Sequence, residues 1–298
     1  MAALVIAAAA GSVVSCTDQE KAPKPVSAPV ESVNVKVNSP GDGPREPLVL
    51  FSDAEQQNVN FSATKGLEQR TEGGAPSEGK PASDNDLPYQ AVTMNLPLQA
   101  SSTTDGKSRI SDIVVGKPSG NNEDMNKSIA TAEGFKMSTE QALDGRVTKR
   151  EYSAPESADN GARASVEEAL GQMNDFPLVF PQDPVGPGAS WTVSNRIDDT
   201  VSLLQDITYK LVEHKGKTVK LDVTVKRRPA TKTMAGTDLE VQDVQSSSQG
   251  SLAVDLTKTL PAQGFIETST AITYGKSESP THVVQTTKSK AEWKPERA

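Results

Sequence analysis

Beyond residue 48, apolar and polar positions alternate with a period of two along most of the chain, the pattern of strands with one buried and one wet face. The clearest run sets Val219, Leu221, Val223 and Val225 against Lys220, Asp222, Thr224 and Lys226, and an earlier row of Ile207, Tyr209 and Leu211 precedes it. Two rows that face one core must pair residues of equal parity. This predicts Leu211 opposite Val219, Tyr209 opposite Leu221 and Ile207 opposite Val223, with Glu213 facing Lys217 around a three-residue loop, His214-Lys215-Gly216, in which Gly216 is left-handed. A second hairpin is predicted at the two-residue turn Asp144-Gly145, pairing Met137 with Tyr152 and Glu140 with Lys149.

Further strands are predicted at 57–64, 89–100, 107–116, 190–198, 239–247, 250–257, 264–274 and 281–293, joined by loops rich in Gly, Ser, Asp and Pro. The glycines and prolines of 66–87 and the polar run 117–127 predict two long mobile loops. One helix interrupts the strands. Ser165 and Glu168 have capping-box spacing, and Val166, Ala169, Leu170 and Met173 form an apolar stripe that ends near Asn174, ahead of Pro177. The predicted fold is mainly β: a large curved antiparallel sheet or half-barrel of about a dozen strands with one short central helix, which lies on the sheet or fills its concave face. The helix (165–174) separates a strand group at 48–154 from one at 190–293, all within a single β-rich domain, 48–298. That order is also what a duplication would leave, though no residue-level repeat supports one.

Composition changes the picture at the N-terminus. Hydrophobic residues make up 35% and aromatic residues 4%, low enough to predict that part of the chain does not pack. Residues 17–47 carry Pro23, Pro25, Pro29, Pro40, Pro44 and Pro47 with mixed charge and no aromatic residue, so 16–47 is predicted to be a lipid-bearing cysteine followed by a disordered tether, able to hold a domain clear of a membrane. The net charge of -8 argues against nucleic acid as a partner.

Ahead of the tether, Ala2 to Ala10 is an uncharged apolar run too short to span a bilayer but of signal-peptide length, which places a signal peptide at 1–15. Val13-Val14-Ser15-Cys16 resembles a bacterial lipobox. The resemblance implies an exported protein anchored to the outer face of the cell membrane through acylated Cys16, the chain's one cysteine. No Lys or Arg opens the run, so a start upstream of Met1 is expected. Pro184-Val185-Gly186-Pro187-Gly188-Ala189-Ser190-Trp191 resembles the P-V-G-x-G-A-x-W segment of exported, uncharacterised actinobacterial lipoproteins. In shape, the predicted sheet resembles lipoprotein carriers of the Lol and mycobacterial lipid-carrying type, whose curved sheet wraps an apolar cavity. Within the segment, Pro187-Gly188 is a turn, proline setting the first torsion and glycine taking the positive one, and Trp191 is read as an aromatic plug at the sheet end.

Motifs for chemistry are present only in fragments. Ser62-Ala63-Thr64-Lys65 and Ser83-Asp84-Asn85 mimic the serine β-lactamase pair, but Ser62 lies in a strand-like run and no K-T-G follows. Gly106-Lys107-Ser108 lacks the upstream glycine of a phosphate loop, and Asp84-x-Asp86 lacks the glycine and distal glutamate of a calcium loop. His214 is assigned to a hairpin tip and His282 to a strand start, without a nucleophile partner. No metal or cofactor is called for, and no catalytic residue is nominated.

Two readings follow. One is a non-enzymatic envelope lipoprotein that binds an apolar, lipid-like ligand, with Met94, Leu96, Leu98, Val166, Leu170, Met173, Tyr209, Leu211 and Leu221 nominated to line its hollow. The other is a structural or protein-binding surface lipoprotein in which the same side chains form a dry core. An extracellular hydrolase is the remote third.

Overall fold

The computed structural model describes residues 24–51, 54–73, 86–104, 108–197, 202–234, 236–276 and 279–296. The lipobox, Cys16, Ser83-Asp84-Asn85 and Gly106-Lys107 lie outside them.

Among the described residues, fourteen strands form one antiparallel sheet. They are β1 (Val26–Ala28), β2 (Asn34–Ser39), β3 (Ala54–Glu72), β4 (Leu87–Thr104), β5 (Ser108–Val115), β6 (Ser119–Gly120), β7 (Lys136–Ala142), β8 (Val147–Ser153), β9 (Ser190–Ile197), β10 (Leu203–Lys215), β11 (Thr218–Pro229), β12 (Glu240–Asp255), β13 (Gln263–Gly275) and β14 (His282–Pro295). Two α-helices accompany them among the described residues, α1 (Asn126–Ile129) and α2 (Asn160–Asn174). The strand order is β1-β8-β7-β5-β4-β3-β14-β13-β12-β11-β10-β9-β2, with β6 beside β4. The two strand groups join where β3 meets β14, in register from Val59 opposite Pro295 to Glu72 opposite His282.

The sheet is strongly curled. Thirteen strands at a spacing of about 4.8 Å would make a flat sheet nearly 60 Å wide. Yet β1 holds one edge and β2 the other, and only residues 29–33 separate them, a stretch of at most about 20 Å. The N-terminal segment therefore clips the edges β8 and β9 toward each other. Side chains reinforce the clip: Arg150 donates to Pro29 O (3.0 Å) and Arg146 to Val33 O (2.6 Å). The disordered tether predicted for 17–47 is thus corrected over residues 24–47. Composition forbids a core there, but edge pairing needs only backbone groups and the alternation of Val33, Val35 and Val37.

The proline-glycine segment docks the same stretch. Gly186 N donates to Pro40 O, Asp42 N to Pro187 O, and Glu46 and Val185 exchange both backbone bonds. A Cβ on Gly186 would stand 2.2 Å from Asp42 O, so only glycine permits the approach. The turn at Pro187-Gly188 forms, with Gly188 at φ +78.

The hairpin of β10 and β11 keeps its predicted faces and changes its register. Leu211 pairs with Leu221, Tyr209 with Val223 and Ile207 with Val225. The turn holds two residues, Gly216 and Lys217, which alone would pair odd with even positions. A bulge at Val212, between Leu211 and Glu213, adds the residue that restores equal parity. In the hairpin of β7 and β8, Met137 pairs with Tyr152 and Glu140 with Lys149, as predicted.

Other boundaries move. Residues 66–72 belong to β3, and 117–127 hold β6 and a 3-10 turn at Glu123–Met125, where mobile loops were predicted. The runs 239–247 and 250–257 are one strand, β12, because β13 pairs along nearly all of it. Helix α2 begins before Ser165: Asp159 is its N-cap, accepting from Ala162 N at 2.8 Å.

Candidate functional site

Helix α2 and the chain after it, Phe176 to Val185, fill the concave face. All nine residues nominated as lining are buried in one contiguous core. Leu96, Val166, Leu170 and Tyr209 have no solvent exposure, and Met94, Leu98, Met173, Leu211 and Leu221 have at most 7%. Trp191 is a core residue as well, stacked on Tyr209 and donating Nε1–H to Val179 O at 2.8 Å. Beneath the helix the sheet holds packed side chains and not one large hollow, because α2 and the Phe176–Val185 segment together supply the apolar bulk that a single stripe would not.

The long strands run on past the helix, and there the concave face opens. A groove of about 790 Å³ has Ala63, Leu67, Val92 and Met94 in its floor, Met125 and Ile129 on one wall and Ala169 on the other. Its size falls within the range of ligand sites, about 300–1,000 Å³. Val92, two residues from buried Met94, is 64% exposed, and Met125, in the 3-10 turn, is 47% exposed, so both leave apolar side chain open to the groove. At the rim Lys65 Nζ lies 3.3 Å from Glu168 Oε1. Beyond that ion pair the concavity continues as a polar hollow of about 200 Å³, bordered by Arg227, Ser289, Gln285 and Thr287. Lys65, Glu168 and Gln172 border both spaces. Gln172 fastens the helix between them by donating to Thr64 O (2.8 Å) and Lys290 O (3.0 Å).

Of the nominated residues, Met94 borders the open groove. Met173 borders a separate cavity of about 140 Å³ at the other side of the helix, and Leu98 a hollow of about 310 Å³ by Asn58 and Gly116. The strand parity that marks Met94 also marks Val92, whereas Leu67 falls in 66–87, where the sequence predicts a loop and so no inward row.

A second omission is polar. On β5, Arg109 and Ser111 share the inward row of Ile113 and Val115, and Arg109 is wholly buried. Its Nε donates to Ser102 Oγ (2.8 Å), and its Nη2 to Lys258 O (3.0 Å) and Thr259 Oγ1 (3.4 Å). Burial lowers its pKa to about 10. Gln57 holds the same segment, donating to Leu260 O and accepting from Thr259 N and Leu260 N. Arg150 is also displaced downward, burial outweighing the charges near it, while burial pushes the Tyr209 and Tyr152 phenols up. The Ser62 and Lys65 of the S-x-x-K match sit on β3 at positions of opposite parity, hence on opposite faces of the sheet. His214 lies at the end of β10 beside Gly216 O, and His282 opens β14.

No curated protein matches the chain. Residues 164–261, about a third of the sequence, are similar to a family of unknown function, DUF6263. The matched stretch runs from α2 through the proline-glycine segment and β9 to β12, ending at the segment that Gln57 and Arg109 hold down.

Proposed function

We propose that this protein is a non-enzymatic lipoprotein of the cell envelope that binds a lipid-like ligand in the open groove between the outer ends of β3 and β4 and helices α1 and α2. The observation that carries the reading is the groove itself, apolar in its floor and large enough for an acyl chain, where the concave face runs past the helix. The ligand lies beside the core and not within it, in contrast to the enclosed cavity of the carriers that the predicted sheet resembles in shape. Export and anchoring through Cys16 rest on the lipobox resemblance. Only residues 17–23 separate Cys16 from the described chain, so an anchored protein sits within about 30 Å of its attachment point.

Two measurements test this. Equilibrium titration of the full-length protein with a polarity-sensitive fluorescent fatty acid should show saturable binding, weakened by Val92→Trp and unchanged by Tyr89→Trp on the opposite face of β4, where the ring lies over Gly66. Equal behaviour of the two variants overturns the groove. Separately, the wild type should take up labelled fatty acid and fractionate with membranes, whereas Cys16→Ser should do neither, since two acyl chains are needed for stable anchoring. Membrane retention of the variant overturns the anchor.

A further inference from the structure

The 140 Å³ cavity beside Met173 has a chemical bias that the groove lacks. It lies between the β7–β8 hairpin and residues 258–261, with Ile113, Met137, Phe176 and Leu252 among its apolar walls. Five buried side-chain nitrogen or oxygen atoms have no hydrogen-bond partner among the described residues: Arg109 Nη1, Arg150 Nε, Trp293 Nε1, Thr270 Oγ1 and His282 Nδ1. Arg150 and Trp293 line this cavity, and Arg109 stands behind Lys258 and Thr259, which line it too. Those three orphans are all N–H donors, and two belong to guanidinium groups.

Among the described residues no Asp or Glu lines the cavity. A buried and a half-buried guanidinium and an indole N–H therefore border a space whose polar lining, Ser111, Thr139, Gln141, Asn174 and Thr259, is neutral and offers no carboxylate to their unpaired N–H groups. Leaving a buried donor unmade is costly, more so for a charged group, so an occupant that supplies acceptors is favoured here.

We infer that this cavity binds a small organic anion, a carboxylate on a short apolar body, with its oxygens accepting from Arg150 Nε and Trp293 Nε1 and its body against Met137, Phe176 and Leu252. Arg109 contributes positive charge from behind the 258–259 segment. Apolar cavities of about 150 Å³ accept a benzene-sized guest, which sets the body at roughly six carbons. The site is separate from the groove and does not depend on it.

Hexanoate and hexan-1-ol, equal in chain length and different in charge, are the probes. The protein has two tryptophans, so Trp293→Phe assigns the Trp293 indole N–H resonance. Titrating the full chain at neutral pH, hexanoate should shift that resonance saturably and bind about tenfold tighter than hexan-1-ol, the margin of a charge-assisted hydrogen bond. Arg150→Met, checked for an unchanged melt, should remove the preference. Met173→Trp, which fills the space, should remove the response to both probes, while Val92→Trp should leave it intact even if the groove proves empty. Equal affinity for the two probes, an unmoved resonance, or a preference that survives Arg150→Met in the folded variant would overturn the inference.

Discussion

Trp191 and Tyr209 are register partners across β9 and β10, their rings stacked at 5.7 Å between centroids and 29° between planes. Each reaches past the stack to the chain that follows the helix: Trp191 Nε1 donates to Val179 O and Tyr209 Oη to Pro177 O at 3.0 Å. The pair fastens the Phe176–Val185 segment onto the sheet and so sets how much of the concave face is filled. Tyr209→Phe keeps the stack and strands the Pro177 carbonyl. It should cost about 1–3 kcal/mol in denaturant unfolding, and a variant as stable as the wild type would show that the bond does not hold the segment.

Val212 is 54% exposed and serves as the spare residue of the β10–β11 hairpin. Val212→Ser should melt close to the wild type, whereas deleting Val212 pairs odd with even positions and turns Ile207, Tyr209 and Leu211 out of the core. The deletion should abolish cooperative unfolding. For comparison, Leu221→Asp on the core face should cost several kcal/mol, and Thr224→Asp on the wet face under about 1 kcal/mol. A deletion variant that folds normally would refute the bulge.

Glu213, just beyond that bulge, accepts from both Lys215 and Lys220, the latter at 2.6 Å, and these bonds hold its carboxyl down to about 2. A carboxyl depressed on folding stabilises the folded form above its unfolded value of 4.5, and that contribution fades as pH falls from there toward about 2. Side-chain NMR should find the Glu213 midpoint near 2 in the wild type and higher in Lys220→Ala. An ordinary midpoint in both proteins would mean that the paired geometry is not held in solution.

How far the chain could be read follows from which forces act locally. Period two gave the faces of β10 and β11 correctly because burial depends on parity, and missed their register by two positions because a bulge and a shorter turn satisfy the same parity. Met137 and Tyr152 were paired correctly. The N-terminal clip was hidden because Val26–Ala28 and Asn34–Ser39 are held by pairing with the edges β8 and β9, more than a hundred residues away, and not by their own hydrophobicity. The start of α2 was placed late because the Ser165 and Glu168 spacing outweighed Asp159, which caps a first turn of small and polar residues. Of the site, Met94 was legible and Val92 was not: both have inward parity, but only the position of α2 decides which inward residue is covered. Arg109 carried a signal that went unused, a charged residue in the apolar row of its strand.

The proposed place of a lipid-like ligand is the groove over Leu67, Val92 and Met125 and not the inside of the core. Photocrosslinking with a diazirine-bearing fatty acid, followed by peptide mapping, tests it most directly. The prediction is saturable labelling, competed by unmodified fatty acid, on Leu67, Val92 and Met125. Labelling that is absent, that cannot be competed, or that falls instead on Tyr89, an exposed aromatic residue on the opposite face of β4, would contradict it.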